Sequence, residues 1–328
     1  MFRKLWKTIK FFIIVAAVII AFPKSILPNK NPDKSDNDIE NYLILNDNEE
    51  RLKDYKDDEV ALRLKLEQLE TINKSRKKYG ATPVKLDILA SRVANRISKE
   101  AAENNFIGHW NLSGEKPYHR YAFAGGYDHI TENAYGEWSS DYYDTAPANI
   151  AALMKNGHGK FMAERSPNDG HKQTIINKSH NFVGIGFYIS GKQFRYYEEF
   201  IDRYFGYMNI PSEVRVGEAF SITLENKNDN FPYYLIAYRE EFLAPLTVDQ
   251  LRKRGSYDDY SNEQYLKMTA WELAAYRTGT TYKIPLSFSK EGLYYVHIYY
   301  DKNEIKNPAS INTKGKTPVS GIVIKVKR

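Results

Sequence analysis

Cysteine is absent from this chain of 328 residues. Its absence excludes disulfide bonds, zinc and iron–sulfur sites ligated by cysteine, a thiol nucleophile and a lipid anchor on cysteine. The chain also lacks a large excess of charge of either sign, because its 47 Lys and Arg nearly balance its 41 Asp and Glu. A net charge of +6 is weak evidence for an anionic partner, and we expect no nucleic-acid partner. Hydrophobic residues make up 42% of the chain, which excludes a wholly disordered protein.

The N-terminus carries an unbroken apolar run at residues 11–22, preceded by the cations Arg3, Lys4, Lys7 and Lys10. A basic segment followed by about 7–15 apolar residues is typical of an export signal. The run is shorter than the roughly 20 residues that usually span a membrane, and Pro23 and Lys24 interrupt the expected cleavage region. We predict that residues 1–27 are either a signal peptide or an uncleaved signal anchor. The protein would then be secreted or held in the cell envelope, with the membrane as a partner through the anchor.

The chain after this segment divides into three parts. Residues 28–59 are polar and more acidic than basic, which predicts a solvated tether. Periodicities then predict helices over 60–79, 86–104, 146–162 and 170–176, followed by strands over 182–190 and 194–205. Helices followed by paired strands predict an α+β domain over residues 60–208.

Beyond Pro211 the pattern is mostly that of strands. Alternating apolar residues predict strands over 219–225, 233–238, 282–288, 292–300 and 319–327. A helical insertion is predicted at about 247–276, in two pieces, 247–254 and 262–276. Short strands separated by turns are typical of an immunoglobulin-like β-sandwich, which we predict for residues 211–328.

The seven histidines fall into two groups by context. For five we predict a surface or half-buried ring, since they lie in polar loops, at helix ends or beside tyrosines: His119, His129, His158, His180 and His297. The other two, His109 and His171, lie in denser contexts, after Phe-Ile-Gly and after Ser-Pro-Asn-Asp-Gly. Two acidic residues accompany them in the sequence, Glu132 between them and Glu164 at the end of a predicted helix.

The order of these motifs shows a family resemblance. The motifs are Asn73 to Asp87, Phe106 to His109, 114–127, Glu132-Asn133, 166–171, and the strand pair 182–186 and 196–200. Residues 69–205 thereby resemble the CAP superfamily, also called the SCP or sperm-coating, antigen-5 and pathogenesis-related domain. Thr131 and Phe161 stand where the family usually has Gly and Trp, and Asn168 and Asp169 lengthen one loop. The family's paired cysteines are absent, as in its bacterial branch.

The resemblance implies an α-β-α sandwich with a cleft in which His109, Glu132, Glu164 and His171 converge. Two imidazoles and carboxylates suit Zn²⁺ with positions left for water, and Mg²⁺ or Ca²⁺ are possible alternatives. Zinc-bound water would allow hydrolysis, so the same four residues are the candidate catalytic groups. In the alternative interpretation they hydrogen-bond one another and only hold the loops together.

The resemblance does not fix one activity, because function is grafted onto folds. It implies first an envelope-associated binding module for a lipid, a cell-envelope component or a partner protein. A metal-assisted hydrolase or peptidase and a structural adhesin are the alternatives.

Overall fold

The structure is a computed structural model that describes residues 32–227, 229–257 and 263–328. The predicted signal or anchor segment, residues 1–27, lies outside the described residues. Within the described ranges, every helix is too short or too polar to cross a membrane.

The secondary structure alternates between helices and strands in the first two thirds and is mostly β afterwards. The helices are α1 (Pro32–Asn48), α2 (Glu59–Lys78), α3 (Ile88–Glu103), α4 (Pro117–Phe123), α5 (Pro147–Ala163), α6 (Gly170–Ile176), α7 (Val248–Arg252) and α8 (Ala270–Ala274). The strands are β1 (Lys85–Leu86), β2 (His129–Trp138), β3 (Phe182–Ser190), β4 (Gln193–Asp202), β5 (Phe205–Met208), β6 (Glu213–Arg215), β7 (Ala219–Asn226), β8 (Phe231–Glu240), β9 (Glu263–Thr269), β10 (Arg277–Thr278), β11 (Thr281–Ser287), β12 (Gly292–Asp301), β13 (Thr317–Pro318) and β14 (Ile322–Lys327).

Residues 32–204 form an α-β-α unit around a sheet of order β1-β3-β4-β2. Helices α2, α5 and α6 pack on one face of this sheet and α3 on the other. Helix α3 lies close to strand β3 because the strand has glycines, Gly184 and Gly186, at the positions that face the helix. A Cβ at these glycines would lie 2.3 Å from the backbone carbon of Ala90 and 2.2 Å from that of Ala94, so a side chain would push the helix away. The predicted α-β-α architecture is confirmed.

Residues 205–328 form a β unit of two packed sheets. One has the order β10-β11-β7-β5, and the other β6-β14-β12-β8-β9 with β13 beside β12. Their facing side chains share one core, to which Leu224 and Ile284 contribute from the first sheet and Leu235, Val296 and Ile324 from the second. The predicted sandwich is confirmed, since two sheets bury their facing residues between them.

The second sheet of the β unit is also buried on its other face, where it packs on the α-β-α unit. The shared cluster contains Leu89, Val93, Tyr118, Tyr121 and Ile130 from the first unit and Ile236, Tyr238, Leu293, Tyr295 and Val323 from the second. The ring of Tyr118 stacks on that of Tyr295 with centroids 4.3 Å apart. The Tyr118 hydroxyl donates to the Glu240 carboxylate. The two units therefore share a continuous apolar contact.

The structure differs from the predicted tether at residues 28–59. Helix α1 occupies much of that segment, and the side chain of Ile39 is buried. The Tyr42 hydroxyl accepts a hydrogen bond from the backbone N–H of Leu86 at 3.2 Å. Apolar residues at Ile39, Tyr42 and Leu43 share one helical face, so the segment docks although most of its residues are polar.

The predicted insertion at 247–276 is only partly helical. Residues 263–269 form strand β9 instead of helix and pair with β8, for example Leu266 with Ala237. The open edge of β8 offers unpaired backbone N–H and C=O groups. The hydrogen bonds formed by pairing with them stabilise a strand at 263–269 more than the weak helical periodicity stabilises a helix. Strand β5 also differs from the prediction, because it pairs with β7 of the β unit rather than ending the first domain.

The five histidines predicted at the surface or half-buried are all buried, so this prediction is wrong. Their exposed fractions are 0% for His119, 4% for His129, 3% for His158, 1% for His180 and 2% for His297. Four of them meet carboxylates that the local sequence does not reveal. His129 and His180 both bond to Asp202 at 2.8 Å, and His158 bonds to Glu198 at 2.8 Å. The fourth, His119, lies 3.3 Å from Glu240.

Asp202 provides a test of this buried network. Burial alone would raise its pKa, but interactions with His180 and His129 outweigh burial and hold the pKa well below its ordinary value. A lowered folded-state pKa stabilises the protein above the ordinary pKa of about 4, and this contribution is lost as the pH falls further. We expect Asp202→Asn to lower the free energy of unfolding by about 1–3 kcal/mol at pH 7, and by progressively less as the pH falls from about 4 toward 2, where the folded-state carboxyl group begins to be protonated. Urea denaturation at several pH values measures this.

The exposed Asp141→Asn serves as the control, and we expect little change from it at any of these pH values. A loss of stability in Asp202→Asn that stays the same from pH 7 down to pH 2 would contradict the assignment of a charged Asp202 to this network.

Candidate functional site

A cleft of about 620 Å³ opens where helices α5 and α6, strand β2 and the loop after α3 meet. All four residues predicted from the sequence line it. The described residues that line it are His109, Thr131, Glu132, Asn133, Glu164, Pro167, Asn168, Gly170, His171, Thr174, Ser256 and Tyr257. Most of these side chains are polar, and the last two belong to the β unit.

His109 and Glu132 form the first pair of the cleft. His109 lies in the loop between α3 and α4, and Glu132 lies on β2. The Nδ1 atom of His109 is 2.7 Å from Oε1 of Glu132. The Glu132 side chain is fully buried, whereas that of His109 is 15% exposed. The carboxylate therefore holds the ring from behind while the ring faces the cleft.

Arg120 of α4 is the buried cation that accompanies Glu132. It donates to the second carboxylate oxygen of Glu132 and to the backbone carbonyl of His109, the latter at 2.6 Å. Its Nη2 atom also lies 3.7 Å from Oε1 of Glu199, which faces Glu132 across the β2–β4 ladder. Burial and the neighbouring Glu132 carboxylate raise the pKa of Glu199 well above its ordinary value. One arginine thus faces two carboxyl groups, and burial raises the pKa of both.

His171 and Glu164 form the second pair. Glu164 follows the last residue of α5, and His171 lies in the first turn of α6. The Nδ1 atom of His171 bonds to one oxygen of Glu164, and the His171 backbone N–H donates to the other at 3.0 Å. Phe161, which stands where the family usually has Trp, stacks on the His171 ring with centroids 4.7 Å apart. Asn133 donates to the His171 carbonyl at 3.1 Å and ties β2 to α6.

This arrangement differs from a set of four metal ligands. Both oxygens of Glu132 and both oxygens of Glu164 are engaged inside the protein, so each glutamate orients its histidine. Within the described ranges, no group of three or more His, Asp or Glu side chains is arranged to hold a metal ion. A carboxylate on Nδ1 is nevertheless the usual support of a histidine that binds metal through Nε2. The residues present fit a metal held by two histidines, with the glutamates behind them.

Two contributors to the cleft were not predicted. Glu199 had a signal, since adjacent glutamates in an aromatic strand are costly to bury without partners. No sequence signal pointed to Tyr257, because it lies 125 residues along the chain from Glu132. Its hydroxyl accepts a hydrogen bond from the Glu132 backbone N–H.

The three-layer fold and the two histidine–glutamate pairs define a CAP-type domain. The family model described as "CAP: Cysteine-rich secretory protein family" matches residues 69–202. Residues 69–202, less than half of the chain, therefore carry a CAP domain, and this domain contains no cysteine. A comparison with curated proteins found no match.

Several solved structures are similar to parts of this chain. One is an extracellular protein containing an SCP domain from Bacillus anthracis, at 19% identity and a TM-score of 0.32, covering 42% of this chain and 39% of that one. Another is an outer surface protein from Borrelia burgdorferi, at 18% identity and a TM-score of 0.33, covering 41% and 89%. A third is NaASP2, crystallised with Zn²⁺, at 11% identity and a TM-score of 0.31, covering 41% and 77%. Scores this low add nothing to the family match.

Arg120 should be essential for stability because it is the cation between two buried carboxyl groups. We expect Arg120→Met to lower the free energy of unfolding by about 3–5 kcal/mol at pH 7, since it leaves Glu132 without its buried cation. Glu199→Gln replaces a carboxyl group whose pKa is raised by burial with a neutral amide of similar shape, and should change stability by less than about 1 kcal/mol. Denaturant unfolding of both variants measures this. If Arg120→Met lowered the free energy of unfolding by less than Glu199→Gln does, the role assigned to Arg120 would be contradicted.

Proposed function

We propose that this is an exported CAP-domain binding protein whose cleft holds a divalent metal ion through His109 and His171. The observation that carries the proposal is that both histidines line one cleft, each with Nδ1 on a glutamate. Imidazole nitrogen favours Zn²⁺ over the oxygen-preferring Mg²⁺ and Ca²⁺. When bound, such an ion offers a Lewis-acidic centre with positions for an incoming oxygen or nitrogen donor.

The protein groups around the histidines support binding better than catalysis. Glu132 and Glu164 keep the two rings oriented and fix the proton on Nδ1. Burial raises the pKa of Glu132, and the charge of Arg120 acts against this by favouring the ionised carboxylate. A general base needs an oxygen within reach of the proton it removes, and the oxygens of both glutamates already accept bonds from the protein. The metal-assisted hydrolase is therefore the weaker alternative.

The lining of the cleft supports a polar ligand rather than a lipid. Thr131, Asn133, Thr174 and Ser256 add hydroxyl and amide groups to the four charged or titratable side chains. A lipid site is lined mostly by apolar side chains, and here only Pro167 and parts of Tyr257 are of that kind. A polar cell-envelope component or a polar segment of a partner protein fits this lining.

Export is part of the proposal and has two supports. The basic and apolar N-terminal pattern is that of an export signal, and the family that matches residues 69–202 is described as secretory. Protease treatment of intact cells that produce the protein tests it, with a cytoplasmic protein as the control.

Zinc titration of the metal-free protein tests the proposed site. We expect one Zn²⁺ per chain by calorimetry. His109→Ala and His171→Ala should each weaken binding by about tenfold or more, and Glu132→Gln and Glu164→Gln by about 10–100-fold at most, because they act through the histidines. Mg²⁺ and Ca²⁺ should not displace the bound zinc.

Asn168→Ala is the matched control, since Asn168 lines the same cleft without belonging to either pair. It should bind zinc as the unchanged protein does. Stoichiometric zinc in the double variant His109→Ala/His171→Ala would overturn the assignment.

A further inference from the structure

The β unit reaches into the cleft of the α-β-α unit through residues 241–257, which follow β8. Three contacts hold this segment in place. The backbone N–H of Leu246 donates to the carbonyl of Leu112 at 2.8 Å. Leu251 is 2% exposed and packs in a cluster with Phe106 of the α-β-α unit. Arg252 donates to the carbonyl of Asn105 at 2.9 Å.

Tyr257 is the residue that this segment delivers to the site. Its hydroxyl accepts a hydrogen bond from the backbone N–H of Glu132 at 3.2 Å. Its ring lies against the His109 imidazole, with centroids 4.7 Å apart and planes inclined by 56°. The edge of the ring meets Trp110 at a centroid distance of 6.2 Å. The phenol therefore touches both members of the first histidine–glutamate pair.

The two histidines of the cleft differ in access as a result. The side chain of His109 is 15% exposed and that of His171 is 35% exposed. Tyr257 contacts His109, whereas His171 is covered from behind by Phe161 of its own unit.

We infer that Tyr257 determines the specificity of the cleft: its ring shields His109, so that only compact polar ligands reach both histidines. The inference goes further than the proposed metal site and rests on it for the identity of the ligand, but the shielding itself needs no metal. A bulky or chain-like ligand would have to displace the phenol, together with its contacts to Glu132 and Trp110. The β unit thereby supplies the wall that decides what the CAP cleft admits.

Modification of the metal-free protein by diethyl pyrocarbonate tests the shielding directly, because the reagent acylates accessible imidazole nitrogen. We expect Tyr257→Ala to raise the rate constant for His109 about threefold or more, since it removes a ring that covers the imidazole. The rate for His171 should stay the same. Tyr257→Phe keeps the ring and loses the hydroxyl, so its His109 rate should remain near that of the unchanged protein. Peptide mass spectrometry gives each rate separately.

The other histidines serve as internal controls of folding. The five buried ones should stay unreactive in every variant, and a variant in which they react is unfolded and is replaced by Tyr257→Leu. An unchanged His109 rate in folded Tyr257→Ala would overturn the inference. An acceleration in Tyr257→Phe equal to that in Tyr257→Ala would also overturn it, because the hydroxyl rather than the ring would then protect His109.

A second arm, with zinc, separates this inference from the proposed function. If zinc binds, two zinc ligands of different size are compared on the loaded protein, the bulky phenanthroline and the compact acetohydroxamate. Tyr257→Ala should strengthen the binding of phenanthroline more than that of acetohydroxamate. Equal gains for the two would contradict selection by size. If zinc does not bind, the proposed metal site fails, while the acylation rates still decide whether Tyr257 shields His109.

Discussion

Strand β4 carries three fully buried carboxyl groups, and the arrangement of the α-β-α unit depends on the donors that meet them. Glu198, Glu199 and Asp202 are each no more than 1% exposed. A buried carboxylate costs several kcal/mol unless it is paired and hydrogen-bonded. Glu198 and Asp202 therefore hold other segments against the central sheet by hydrogen bonds, and Glu199 has the Arg120 guanidinium of α4 at 3.7 Å.

The cleft is built on those donors. Asn133 bonds to Glu198 at 3.2 Å and to the His171 carbonyl, which joins the sheet to α6. Arg120 stands between Glu199 and Glu132, so the first histidine pair is held from the same strand. His109 and His171 are thus each tied to the central sheet through their backbone carbonyls, which accept hydrogen bonds from Arg120 and Asn133.

Local sequence patterns predicted what depends on near neighbours. The short helix α6 occupies the predicted residues 170–176, and strand β3 occupies the predicted residues 182–190. The burial of His129 could not be predicted in this way, because its partner Asp202 lies 73 residues along the chain. The residues of strand β9 were predicted as helix, because the local sequence does not reveal the open edge of β8 with which they pair. The family resemblance predicted the four cleft residues, but the sequence did not show that they form two separate histidine–glutamate pairs.

The sheet that is buried on both faces has a thermodynamic consequence. Tyr295 and Tyr238 lie between the sandwich and the α-β-α unit, so separating the units would expose a large aromatic surface to water. Unfolding of either unit removes the apolar surface on which the other rests, and we expect the two to melt in one cooperative transition. Any ligand of the cleft would then raise the melting temperature of the whole chain, including strands far from it. The CAP domain and the β-sandwich would then fold and unfold as one cooperative unit.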